Sequence, residues 1–285
     1  MGAPKKRRLD DELVEQGFFC DRATAMRAVM AGEVSSRGER LTQPGQQVKA
    51  GVELHVKGSP RTSARGLGVY VSRGGLKLEG ALAAFGIDPA GLNCLDVGCS
   101  TGGFTDCLLK SGARRVAAVD VGYGQFDWGL RGDERVALFE RTNIVGADPA
   151  DLGAPFDLAV ADVSFTSVEH ILDSVVALLA PNGMFCTLVK PQFEAGRDEV
   201  GEGGVVRDPA VHRRVLRSVV EGFEAGPLRV RGLCVSPIHG AKGNIEYFLL
   251  AQRGAEAVSV DVDAVVDRAW EAPCAASSQG EDKPE

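Results

Sequence analysis

No apolar run in the 285 residues approaches the roughly 18 that a membrane-spanning helix needs, so no membrane partner is expected. The basic start, Lys5-Lys6-Arg7-Arg8, is followed by acids rather than by the apolar stretch of a signal peptide, which places the protein in the cytoplasm. Metal-ligand spacing is missing as well. Among 4 histidines and 7 cysteines there is no Cys-x-x-Cys and no histidine at ligand distance from a cysteine, so no metal is expected. The thiols, several inside apolar runs, read as reduced core residues. No internal repeat is present.

A formal net charge of −7 argues at first against a nucleic-acid partner. Its distribution reverses that. Residues 1–80 carry 14 Lys+Arg against 9 Asp+Glu, while residues 81–285 carry 18 against 30. Such asymmetry hints at a basic RNA-contacting segment on an acidic protein, although a solvated surface explains the charge about equally well.

The segment 1–60 reads as a small α+β domain. Leu9 to Phe18 is amphipathic, with Gly17 near its end, and Asp21 precedes a second helix, Arg22 to Met30. Short β-like runs follow at 33–35, 47–48 and 52–56. Gly58 to Gly68 is rich in Gly, Ser, Pro and Arg, residues 61–74 read as a linker, and Leu76 to Phe85 as a helix. From residue 92 apolar strands alternate with helices. Strands are expected at 92–97, 115–120, 136–141, 156–162, 184–190, 228–235 and 244–252, and long helices at 103–111, 167–180 and 208–224. This is the pattern of a Rossmann-like, seven-stranded α/β domain over residues 75–255. Residues 256–285 read as a C-terminal tail, disordered after about residue 269.

The sharpest motif is Asp96-Val97-Gly98-Cys99-Ser100-Thr101-Gly102-Gly103-Phe104, after the first strand and opening a helix. Glycines allow a tight turn and close approach of a ligand, and the helix start offers unpaired N–H groups. The next strand ends in Asp120, suited to ribose hydroxyls. A dinucleotide site wants Gly-x-Gly-x-x-Gly. Gly98-x-x-x-Gly102-Gly103, with Asp96 just before it, suits S-adenosylmethionine better, because its sulfonium and amino group favour nearby carboxylates. Asn143, after the third strand, is a candidate contact to adenine or ribose, or a plain turn residue.

Strand four ends in Asp162-Val163-Ser164-Phe165 and strand five in Lys190-Pro191-Gln192-Phe193-Glu194. A lysine ending an apolar strand is costly unless a carboxylate compensates it. Together with Ser72-Arg73-Gly74-Gly75-Leu76-Lys77-Leu78 and Lys242-Gly243-Asn244-Ile245-Glu246, these motifs resemble the TlyA family, also labelled haemolysin A. Members are rRNA 2′-O-methyltransferases with an FtsJ-like catalytic domain. The resemblance runs from about residue 7 to 252 and implies a Lys-Asp-Lys-Glu tetrad: Lys77, Asp162, Lys190 and Glu246. Lys190 would be a general base or a positioned cation, with the first role expected. Taken singly, Asp162 could cap a helix, Glu246 could lie on a surface strand and Lys77 could snorkel.

The resemblance also implies a ribosomal-protein-type RNA-binding domain at the N-terminus, meeting RNA through Arg7, Arg8, Arg22, Arg27, Arg37 and Arg40. Two departures stand out: Val34-Ser35-Ser36 replaces Val-Asn-Gly or Val-Asp-Gly, and Cys99 stands where Ala is expected. The implied substrate is cytidine ribose in 16S rRNA, 23S rRNA or both, within ribosomal subunits, and the protein is expected to be a monomer. His170, His212 and His239 read as structural or surface residues. The competing classes are a non-catalytic ribosome-assembly factor and a membrane-active haemolysin, for which no insertable segment is present.

Overall fold

A computed structural model describes residues 6–16, 18–19, 22–36, 38–52, 54–56, 70–256 and 258–271. Gly17, Asp21, Arg37 and most of the expected linker therefore lie outside the described residues. The chain divides into two compact units with the main boundary between Val69 and Tyr70; Ala241–Gly243 and the stretch from Trp270 group with the first.

The first unit contains β1 (Lys6–Arg8), α1 (Leu9–Glu15), α2 (Arg22–Met30), β2 (Val34–Ser36), β3 (Glu39–Leu41), β4 (Gln47–Lys49) and β5 (His55–Val56). β1 pairs with β4, and β3-β2-β5 form a second small sheet. Leu9, Leu13, Ala25, Val29, Val34 and Val56 make its core. The basic start is thus partly a strand, which its charge concealed.

The second unit follows with α3 (Gly74–Phe85), β6 (Asn93–Val97), α4 (Gly103–Lys110), β7 (Arg115–Val119), α5 (Trp128–Arg131), β8 (Val136–Phe139), α6 (Pro149–Leu152) and β9 (Phe156–Ala161). It continues with α7 (Glu169–Leu178), β10 (Leu179–Val189), α8 (Pro191–Glu194), α9 (Pro209–Glu224), β11 (Leu228–Val235), β12 (Tyr247–Arg253) and α10 (Val262–Glu271). The strands form one seven-stranded sheet in the order β11-β12-β10-β9-β6-β7-β8. Neighbours from β10 to β8 pair in parallel, whereas β12 runs antiparallel to both β10 and β11. β6 is buried along its whole length, as a strand covered on both faces must be. Asp208 caps α9 by accepting from the Ala210 N–H, with Pro209 at the first helical position. Phe223 of α9 stacks on Phe185 of β10, both fully buried.

The chain order reverses between β6 and β9. Strands β7 and β8 extend the sheet on one side of β6, and β9 and β10 on the other. Ligands in such sheets bind beyond the carboxyl ends of the strands at this switch point.

Two expectations need correction. β10 begins at Leu179 rather than 184, with a register shift between Leu179 and Met184. The tail contains a helix, α10: Val262, Val265, Val266 and Ala269 recur at helical spacing and are buried in the main core. Residues 272–285 lie outside the described residues. Removing two buried methyl groups by Val266→Ala should cost about 2 kcal/mol. That lowers the thermal midpoint by several degrees, whereas a dispensable tail would show no change in a melting scan.

Candidate active site

Ser72 and Gly75 crowd the start of α4 from the start of α3. A Cβ on Gly103 would lie 2.2 Å from the Ser72 hydroxyl oxygen and 3.0 Å from the Gly75 nitrogen. One on Gly102, left-handed at φ +93°, would strike Leu130 at 2.6 Å. These two glycines therefore serve packing. Gly98 differs. At φ +78° it sits directly on the switch point, where a Cβ would come within 2.9 Å of the Asp162 carbonyl oxygen. The Asp162 N–H donates to the Val97 carbonyl at 3.1 Å, and so ties the ends of β6 and β9 together.

Beside this seam opens a cleft of about 410 Å³, within the range of small-molecule sites. Gly98, Ser100, Asp120, Gln125, Asn143 and Asp162 supply part of its polar lining, and Val119, Val121, Ile144 and Ile171 part of the apolar one. The two Asp120 carboxylate oxygens accept the Ser100 N–H at 2.7 Å and the Gly122 N–H at 2.6 Å. Asp120 thus shapes the loop, and each oxygen retains a lone pair for a ligand. Asn143 lines the cleft and also accepts the Val145 N–H at 3.0 Å, as a turn residue does.

Asp96, Thr101, Gly102, Gly103 and Phe104 are not brought to the cleft wall. Phe104 is buried against Phe248, ring centroids 6.1 Å apart. Thr101 is exposed, and its carbonyl accepts from Asp127. Asp96 is fully buried. One carboxylate oxygen accepts from the Thr105 hydroxyl at 2.6 Å, and the other meets no donor among the described residues. Burial, joined by the charges of Asp162 and Asp120, pushes its carboxyl up to about 7. Asp120, at the cleft wall, repels an anion such as a pyrophosphate and suits a cation. The residues present therefore fit S-adenosylmethionine. Gly98, Ser100, Asp120 and Asn143 would hold it, and it supplies a methyl group on a positively charged sulfur.

On the other side of the seam the structure assembles all four expected catalytic side chains. Asp162 follows β9, Lys190 follows β10 and Glu246 precedes β12, whose Tyr247 pairs with Val189. Lys77 comes from the first turn of α3. The Lys77 ammonium donates to Glu246 Oε2 at 2.5 Å, with both side chains under 10% exposed (9% and 3%). Lys190 forms an ion pair with Asp162 and donates to the Ser164 hydroxyl at 2.8 Å. Burial works against the Asp162 charge, but Lys190 and Lys77 outweigh it and hold the carboxyl below its ordinary value. The two pairs therefore act on one another. Ser164, which accepts from Lys190, and Phe165 beside it both line the cleft, and neither had a role of its own in the sequence. Phe165 is 92% exposed and left-handed at φ +64°, a conformation few bulky residues adopt.

His212 is buried between the Tyr247 hydroxyl and the Val206 carbonyl, which fits its structural reading. In the first unit Arg7 pairs with Glu12 at 3.1 Å, and Arg8 and Arg22 pair with Asp10 at 2.7 and 3.1 Å. Asp10 and Glu12 are buried, so these three arginines compensate acids inside the unit. Arg27 and Arg40 are exposed, and Arg37 lies outside the described residues. Among the described residues no three His, Cys, Asp or Glu side chains could hold a metal ion.

The sheet, the loop and the cleft define an S-adenosylmethionine-dependent methyltransferase. Residues 70–253 match the FtsJ-like methyltransferase model, and the chain belongs to that family, among its TlyA members. It is 46% identical over 273 residues to "Putative rRNA methyltransferase YqxC" of Bacillus subtilis, covering 93% of this chain and 94% of the relative. It is 42% identical over 245 residues to the 16S/23S rRNA (cytidine-2′-O)-methyltransferase TlyA of Mycobacterium tuberculosis, covering 86% and 89%. A solved structure described as "Putative hemolysin from Streptococcus thermophilus" superposes with TM-score 0.80 at 41% identity, covering 94% of this chain and 97% of that one.

The raised Asp96 carboxyl has a consequence for stability. Between the ordinary carboxylate value of about 4 and about 7, the folded protein holds a proton that the unfolded chain releases. Stability of the cofactor-free protein therefore falls as pH rises through that window. Asp96→Asn should remove the fall, so its melting midpoint gains on the wild type between about pH 5 and pH 8. Parallel pH profiles would contradict this. Gly98→Ala should weaken cofactor binding at least about tenfold, because the αL backbone and the Asp162 carbonyl both resist a methyl group. Isothermal titration measures it.

Proposed function

We propose that the chain methylates the 2′-hydroxyl of a cytidine ribose in rRNA, acting on 16S rRNA, 23S rRNA or both within ribosomal subunits in the cytoplasm, as a monomer. The observation that carries this reading is the double lysine–carboxylate arrangement beside the cofactor cleft. Attack on a methyl group requires the hydroxyl to be aimed and to lose its proton. Lys190 meets the hydroxyl. Its ion pair with an ionised Asp162 favours the cationic role over the expected general base: the ammonium draws the oxygen into line and stabilises its growing negative charge. Asp162 and Ser164 fix the direction of that ammonium. Glu246 holds Lys77 as the second cation of the site.

Aromatic rings around the mouth support an RNA substrate. Phe165 stands next to Ser164 with its ring centroid 5.3 Å from that of Phe193. Tyr123, 64% exposed, has Arg141 4.1 Å above its ring. Sequence-specific RNA enzymes receive unpaired bases on such faces. The first unit, with Arg27 and Arg40 exposed, is the proposed RNA-anchoring domain. No described helix is long and apolar enough to cross a membrane, which favours this reading over a lytic one.

Lys190→Met should reduce rRNA methylation at least about a hundredfold while leaving cofactor affinity nearly unchanged. Transfer of labelled methyl groups to purified subunits, alongside calorimetric cofactor binding, measures both. Wild-type rates in Lys190→Met would refute the assignment.

A further inference from the structure

The chain before β12 is braced on both sides of Glu246. The Gly240 N–H donates to the Asn244 carbonyl at 2.8 Å. Buried Asn244 accepts the Val206 N–H at 3.3 Å and donates to the Gly204 carbonyl at 2.9 Å. His212 joins the Val206 carbonyl at 3.1 Å to the Tyr247 hydroxyl at 2.9 Å. The backbone carrying Glu246 therefore has little room to yield.

Gly240 is itself buried and faces the Glu246 carboxylate. A Cβ there would lie 2.0 Å from Oε1, 2.4 Å from Cδ and 2.9 Å from Oε2 of Glu246, its three nearest neighbours. No left-handed φ demands glycine at this position. The three atoms nearest to such a methyl group all belong to that carboxylate. That carboxylate cannot turn aside without leaving the Lys77 ammonium, 2.5 Å away in a buried pair. We propose that Gly240 is a positioning residue for methyl transfer: its missing side chain is the space in which Glu246 is seated against Lys77. This rests on the tetrad reading above.

The test is a double-mutant cycle in the full chain with Gly240→Ala, Glu246→Ala and the double variant. The readouts are kcat and KM for rRNA methylation, cofactor affinity and the thermal midpoint. Gly240→Ala should lower kcat about a hundredfold, as a shift of about 1 Å in a catalytic group does, with KM and cofactor affinity within about twofold. In the Glu246→Ala background the same substitution should change kcat by less than about twofold and leave the midpoint in place, because the clash is gone. Equal losses in both backgrounds, or full activity of Gly240→Ala, would overturn the proposal. If Gly240→Ala alone does not fold, the double variant should; its failure to fold also overturns the proposal. Wild-type rates in Glu246→Ala would instead sink the tetrad reading. The seating would then stand or fall on whether Gly240→Ala lowers the midpoint only when Glu246 is present.

Discussion

Two ammonium groups buried at the carboxyl edge of a sheet are unfavourable unless each has a carboxylate of its own, since desolvation costs several kcal/mol per ion. Here Lys77 has Glu246 and Lys190 has Asp162, and both lysines help keep Asp162 ionised. Breaking one pair leaves a buried charge uncompensated, so the site is secured by mutual dependence rather than by any single contact. The fold serves this arrangement. Asp162, Lys190 and Glu246 leave three adjacent strands, β9, β10 and β12, at one edge, and α3 brings Lys77 over them. The antiparallel direction of β12 matters, because it presents the residue before its first position at the edge where β9 and β10 end.

The switch point joins the two halves of the chemistry. Asp162 belongs to both: its backbone closes on Gly98 and its side chain lines the cofactor cleft and pairs with Lys190. A methyl donor in the cleft and a hydroxyl at Lys190 would meet across this one residue. Asp120 adds a carboxylate at the cleft wall, which suits a cationic cofactor better than an anionic one.

Much of this was legible in the sequence because both signals are local. Apolar runs such as Phe156 to Ala161 mark buried strands, and Asp208-Pro209 marks the start of α9. The tetrad was not legible from spacing, since Lys77 and Glu246 are 169 positions apart; only the family motifs brought them together. Phe104 and Gly103 read as ligand contacts because the loop motif does not say which glycines face inward. Arg7, Arg8 and Arg22 read as an RNA face because buried Asp10 and Glu12 look like ordinary surface acids in a helical pattern. α10 was missed because four small apolar positions ahead of a polar end resemble a tail. The role of Gly240 is invisible in any pattern, since it consists of an absent atom.

The central claim is that the paired lysines direct methyl transfer to a ribose oxygen. The most direct measurement is mapping of the product on ribosomal RNA after incubation of purified subunits with the protein and methyl donor. The account predicts a methylated cytidine whose 3′ phosphodiester resists alkaline cleavage, because the 2′-oxygen is blocked. A methyl group on a base, with that bond still alkali-labile, would contradict it.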